Sequence, residues 1–123
     1  MDFRFSEEEE AFRKEVRDFL QKEWTLKEYD LDKAEHWEMA REFEKKLGAK
    51  GWLCLAWPKE YGGLGASHMN QLVFAEEMAY ARAPIVNGHG VHMVGPRLML
   101  PGSDEQKKRF LPPIARSEVI WSQ

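Results

Sequence analysis

The sequence predicts an all-α fold, an antiparallel bundle of about five helices that ends in the start of a β-strand. Three observations predict it. Apolar residues recur at helical spacing in successive stretches separated by polar or glycine-rich connectors. Two capping boxes, Ser6 with Glu9 and Ser103 with Gln106, mark helix starts. Residues that favour a strand, Val119, Ile120 and Trp121, come together only near the C-terminal end.

The first box opens a helix in which Glu7, Glu8 and Glu10 suit the positive end of the dipole. Phe12, Val16, Phe19, Leu20 and Trp24 follow at helical spacing, so this helix is expected from about 6 to 24. Glu9 with Arg13 and Glu10 with Lys14 are placed to pair one turn apart on its wet face. Residues 25–32 are polar and aperiodic and read as a connector. A second helix, from about 33 to 50, has Trp37, Ala40, Phe43 and Leu47 as its core stripe, with Gly51 just beyond its end.

The third helix opens at Ser67 and runs to about 82, short of Pro84. Leu72, Val73, Phe74, Ala75, Met78, Ala79 and Ala81 wrap most of its circumference, which predicts burial on several sides. The fourth, about 89 to 100, is again largely apolar, with Val91, Met93, Val94, Leu98, Met99 and Leu100. A fifth starts at Ser103, reaches Leu111 and is interrupted by Pro112-Pro113, with one more turn at Ile114-Ala115. Helices three and four carry more apolar surface than a bundle of this size covers, so one face is expected to meet something else.

Composition bounds the function classes. A chain of 123 residues suits one domain. The net charge is −3, and the basic clusters Lys45-Lys46 and Lys107-Lys108-Arg109 are interleaved with acids, which argues against nucleic acid. No apolar run approaches the ~20 residues of a membrane span. Residues Met1 to Phe5 lack the blocks of a signal peptide, so a cytoplasmic location is expected. Cys54 stands alone, which excludes an intrachain disulfide and suits a reducing compartment.

The most distinctive stretch is Trp57-Pro58-Lys59-Glu60-Tyr61-Gly62-Gly63-Leu64-Gly65, a connector between helices two and three. Pro58 fixes φ, and the glycines permit positive φ and close backbone approach, so this loop is built for one shape. Its glycines match neither the dinucleotide fingerprint nor the P-loop. No Ser-centred nucleophile motif is present. His89 and His92 lie three apart and could face one metal, but the sequence places no third ligand, so no metal is expected. Glu76 and Glu77 point about 100° apart on a helix and do not share a site. One is expected to be exposed and the other to meet a cation. Cys54, among Trp52, Leu53, Leu55 and Trp57, reads as a buried, inert thiol.

Several blocks together resemble the N-terminal helical domain of the acyl-CoA dehydrogenase family. They are Phe5-Ser6-Glu7-Glu8, the segment Leu47 to Gly65, Ala75-Glu76-Glu77-Met78-Ala79, Gly95-Pro96, Gly102 to Lys107, and Arg109 to Pro113. Their order and spacing cover nearly the whole chain. The resemblance implies a helical domain at 1–117 and the first strand residues of a middle β-domain at 118–123, in a protein about three times longer. It implies a parent flavoenzyme that oxidises an acyl-CoA thioester across its α and β carbons, with FAD as cofactor and electron-transfer flavoprotein as partner. A glutamate outside this chain would remove the α proton. The parent is expected to be a homo-oligomer. The 123 residues alone are expected to hold no FAD and to have no activity or catalytic residue.

By position, the resemblance assigns acyl-pocket walls to Leu72, Met78, Gly88, Val91, His92 and Val94, and a flavin contact to Gln123. A His in the wall hints at a shorter, bulkier or more polar acyl group than a long straight chain. Two other readings stand beside this one. The chain could be a free-standing helical protein-interaction module that uses its third-helix face. It could also belong to an acyl-CoA oxidase or a flavin monooxygenase of the same superfamily.

Overall fold

Five α-helices form in the computed structural model, which describes residues 4–122: α1 (Glu7–Glu23), α2 (Ala34–Ala49), α3 (His68–Ala81), α4 (Gly95–Met99) and α5 (Asp104–Ala115). A 3₁₀ turn at Lys59–Tyr61 and a π-helical turn at Gly90–Val94 complete the regular structure. The fold is all-α, and there is no strand among the described residues. The chain divides into two compact units. One joins the described residues up to Tyr29 with Ser67–Ala83, and the other joins Asp30–Ala66 with Pro84 and the described residues after it.

In the first unit, both predicted helix starts are made locally. Ser6 Oγ accepts the Glu9 N–H while the Glu9 carboxylate accepts the Ser6 N–H, closing the box. Ser67 Oγ accepts the Asn70 N–H at the head of α3. Val16, Leu20 and Trp24 are buried, as are Val73, Met78 and Ala81. The surface pairing of Arg13 with Glu9 gives way to a tertiary one. Arg13 donates to Glu76 and to Glu77, and Arg17 donates twice to Glu77. Glu77 is only 4% exposed, so its charge is matched by two guanidiniums rather than by water. Those donors, Arg17 first, hold its carboxyl below the usual range. Helix α3 ends at Arg82, whose φ of 54° lets the Ala83 N–H reach back to the Met78 carbonyl.

The expected burial of α3 on several sides is not met within its own unit. Leu72 and Met69 are partly exposed and Tyr80 is 83% exposed. The buried positions 73, 77, 78 and 81 fall on one face of the helix.

In the second unit the core is built from Ala40, Phe43 and Leu47 of α2, Trp52 to Leu55 and Trp57 of the loop, and Leu111, Ile114 and Ala115 of α5. Trp37, expected in the α2 stripe, is instead 37% exposed. The glycine loop folds back on itself through bonds from Leu64 and Ala66 to the Leu55 carbonyl and from Gly65 to that of Trp57. A side chain at Gly63 would run into the Trp57 and Cys54 carbonyl oxygens, so only glycine fits there.

Three expectations take a different form in this unit. The fourth helix is not regular from about 89 to 100, because Pro96 has no N–H and its ring crowds the carbonyl four residues back. The chain responds with the wider turn at Gly90–Val94, in which the Gly95 N–H bonds to the Gly90 carbonyl. Conversely, α5 is not interrupted at Pro112-Pro113 but runs through both to Ala115. The prolines fall near its C-terminal end, where their carbonyls still accept from Arg116 and Glu118. Finally, the residues expected to start a strand, 118–122, join no ladder. No strand lies beside them, and the side chain of Asn87 takes the Val119 carbonyl and the Trp121 N–H instead.

Candidate functional site

Within the second unit, the π-helical turn, α4 and α5 leave an open groove of about 430 Å³ that reaches Trp121 and Ser122. Met93, Val94, Leu98 and Phe110 make its apolar lining, and His89 and Arg97 bring polar side chains to it. Trp121 sets its ring edge-on to Phe110, with centroids 6.1 Å apart. The Trp121 indole N–H is buried and has no acceptor among the described residues. Such a surface suits an apolar ligand fixed by a few polar contacts.

Of the residues that sequence reasoning assigned to a binding wall, Val94 lines this groove. Val91 is buried at 5% exposed, Gly88 is half-buried and His92 is exposed, and none of the three lines the groove. The histidine in the groove is His89, one turn earlier. Leu72 and Met78 belong to α3 of the first unit, where Leu72 is 45% exposed and Met78 is 7% exposed. Gln123 lies outside the described residues. Sequence reasoning missed His89, Met93 and Arg97 as a set, although their spacing of four is the signal of one helix face. Phe110 and Trp121 carried no such signal, since only α5 packing against the π turn and α4 brings them near.

The second unit also holds a buried carboxylate. Glu44 of α2 is fully buried; its Oε2 accepts the Val86 N–H at 2.7 Å and the Asn87 N–H at 3.3 Å. Its Oε1 accepts the Ser117 hydroxyl at 3.0 Å, and Arg41 donates to the same Ser117 oxygen. Burial pushes the Glu44 carboxyl up, while those donors and the Arg41 charge act against it. Cys54 is also buried, and the loss of water there, helped by the charge of Glu44, pushes its thiol up to about 12. Among the described residues, no group of three His, Cys, Asp or Glu could hold a metal ion. No helix is long and apolar enough to cross a membrane.

Known proteins resemble this chain. The family model described as "Acyl-CoA dehydrogenase, N-terminal domain" matches residues 6–118. The chain belongs to the acyl-CoA dehydrogenase family. Acyl-CoA dehydrogenase FadE26 of Mycobacterium tuberculosis is 49% identical over 82 residues, which cover 67% of this chain and 20% of that protein. The ChsE4–ChsE5 complex from Mycobacterium tuberculosis matches at a TM-score of 0.79 and 37% identity, over 97% of this chain and 30% of that one. The steroid ACAD Tcur3481–Tcur3483 matches at a TM-score of 0.77 and 35% identity, over 98% of this chain and 32% of that one. The sequence therefore spans a fifth to a third of the length of these acyl-CoA dehydrogenase relatives. Enzymes of this family are FAD-containing oxidoreductases, and the chain corresponds to their N-terminal domain.

Proposed function

We propose that this chain is the N-terminal domain of an FAD-dependent acyl-CoA dehydrogenase and supplies part of the wall around the acyl group. The observation that carries this reading is the apolar groove at Met93, Val94 and Leu98, inside the segment that matches the family. The domain's own work is enclosure. Its apolar side chains exclude water from the thioester. Val91, His92 and Gly88 of the same unit, and separately Leu72 and Met78 of α3, are assigned to acyl-pocket walls by the family resemblance alone. Without water, charges around the α proton act more strongly, which favours its removal by a base outside this chain.

The likeness to a steroid ACAD and the presence of His89 and Arg97 in the groove support a bulky acyl group with polar substituents rather than a long straight chain. The bound flavin supplies the acceptor for the β hydride. From this chain it is offered Gln123, at the end of a segment that begins the β-domain at 118–123. The glycine loop at 62–65 does not suit the flavin phosphates, since Gly63 backs onto two carbonyl oxygens. The isolated 123 residues are expected to hold no FAD and to be inactive. Electron-transfer flavoprotein is the proposed electron acceptor, and the location is cytoplasmic. The parent is proposed to be an oligomer, and the likeness to ChsE4–ChsE5 and to Tcur3481–Tcur3483 supports two different subunits over the homo-oligomer expected from the sequence.

The test is made on the product of the complete reading frame, assayed with straight-chain, branched and steroid side-chain acyl-CoAs. A yellow protein that dehydrogenates the bulky thioesters supports the reading. Val94→Phe should then raise KM for those substrates at least ~10-fold with the flavin content unchanged. A second reading, the free-standing interaction module, is favoured by the exposed Leu72, Met69 and Tyr80 of α3. A reading frame that stops at codon 123 would select it. An oxidase or a monooxygenase of the same superfamily would show itself by consuming oxygen.

A further inference from the structure

The side chain of Asn87 takes the place of a strand. It is fully buried; its Nδ2 donates to the Val119 carbonyl at 2.9 Å and its Oδ1 accepts the Trp121 N–H at 3.1 Å. A carbonyl and an N–H two residues apart, bonded to the N–H and carbonyl of one neighbouring residue, is the pattern a parallel strand would make across Ile120, and here one side-chain amide supplies both partners. The Asn87 amide is itself held. Its backbone N–H rests on Glu44, and its carbonyl accepts the Val91 N–H at the head of the π-helical turn. Gly90 leaves the space its side chain fills, since a Cβ there would stand 2.7 Å from Asn87 Oδ1. The same Glu44 takes the hydroxyl of Ser117. The segment from Ser117 to Trp121 is thus pinned at both ends to one buried carboxylate and the asparagine seated on it.

We infer that Asn87 is a positioning residue: it sets the extended geometry and the direction of residues 119–121 without a neighbouring strand. What the segment is positioned for rests on the proposed function, in which it runs on toward the flavin. Asn87 then decides where the chain enters the flavin-bearing part of the enzyme, acting through residues 119–121.

Amide hydrogen exchange in the 123-residue chain, followed by NMR, tests the positioning. The Trp121 amide is expected to be protected. Asn87→Ala should lower that protection about tenfold or more, the loss of one hydrogen bond, while amides in the middle of α2 and α5 keep theirs. Gly90→Ala keeps the asparagine but drives a methyl against its Oδ1, and should expose the same amide. It is the deciding variant if Asn87→Ala fails to fold. A Trp121 amide that exchanges freely in the native chain, or is unaffected by a folded variant, overturns the inference. Flavin content of the complete protein carrying Asn87→Ala is read separately. A fall supports the route to the flavin, and an unchanged content with the Trp121 effect intact overturns that route alone.

Discussion

Ser117 donates its hydroxyl to Glu44 Oε1 at 3.0 Å, and neither side chain is reached by solvent. Ser117 makes this contact from a φ of 57°, a conformation that favours glycine. It occupies the position after α5 where the Ser117 and Glu118 N–H groups turn back to the carbonyls of Ile114 and Pro113. A glycine would satisfy the backbone better, but it would leave the buried carboxylate short of a donor.

Two substitutions at this position separate these effects. Ser117→Ala keeps the unfavourable φ and loses the hydroxyl's bonds to Glu44 and Arg41, so it should destabilise by about 2–3 kcal/mol. Ser117→Gly loses the same bonds but relieves the backbone, and should be about 1 kcal/mol less damaging. Urea denaturation midpoints measure both. An alanine variant as stable as the glycine variant would show that the backbone strain carries no weight.

Glu77 ties unfolding to acid. Arg17 and Arg13 hold its folded carboxyl below its ordinary value of 4.5. A lowered pKa means the folded state binds that proton more weakly, so the contribution is complete above the unfolded value and lost as pH falls through the folded one. Glu77→Gln should cost about 1–3 kcal/mol at pH 7, and the gap to wild type should close below pH 4.5. Glu44 works in the opposite direction, since burial raises its carboxyl, so the comparison is between variant and wild type at each pH. A gap that does not change between pH 7 and pH 3 would refute the assignment.

Two glycines differ in what a methyl would meet. At Gly63 it meets backbone carbonyls of Trp57 and Cys54, which cannot move without reshaping the loop. At Gly95 it meets the far edge of the Trp57 ring. Gly95→Ala should therefore cost about 1–3 kcal/mol, as overpacking does, and Gly63→Ala more. Thermal unfolding of the two variants checks the order.

Cys54 should be silent in the native chain. It is 2% exposed and its thiol is pushed up to about 12, so almost no thiolate is present at pH 8. Labelling by a disulfide reagent should be at least ~100-fold slower than in guanidinium chloride, where unfolding exposes the thiol. Fast native labelling would mean that the loop from 52 to 57 opens readily.

Of the expected wall residues only Val94 lines the groove, and it was named through the family resemblance rather than by spacing. His89, Met93 and Arg97 share its turns at a spacing that could have been read. Glu44 sat in plain view between Phe43 and Leu47, on the stripe that Ala40 begins, yet a glutamate on a helix usually marks the wet face. Its burial depends on Val86, Asn87 and Ser117, donors that come from distant parts of the chain.

The sequence by itself determined the helix starts at Ser6, Ser67 and Ser103, the glycine-rich turn and the family, because capping and turn chemistry act over three or four residues. The tertiary structure alone decided that Arg13 turns from its own helix to Glu76 and Glu77, that Pro96 is met by a π turn while α5 runs on through Pro112, and that Asn87 stands in for a strand beside Val119 and Trp121. Each of these turns on which groups meet after burial. A buried donor or acceptor takes the partner that packing brings within reach, and local spacing does not name that partner.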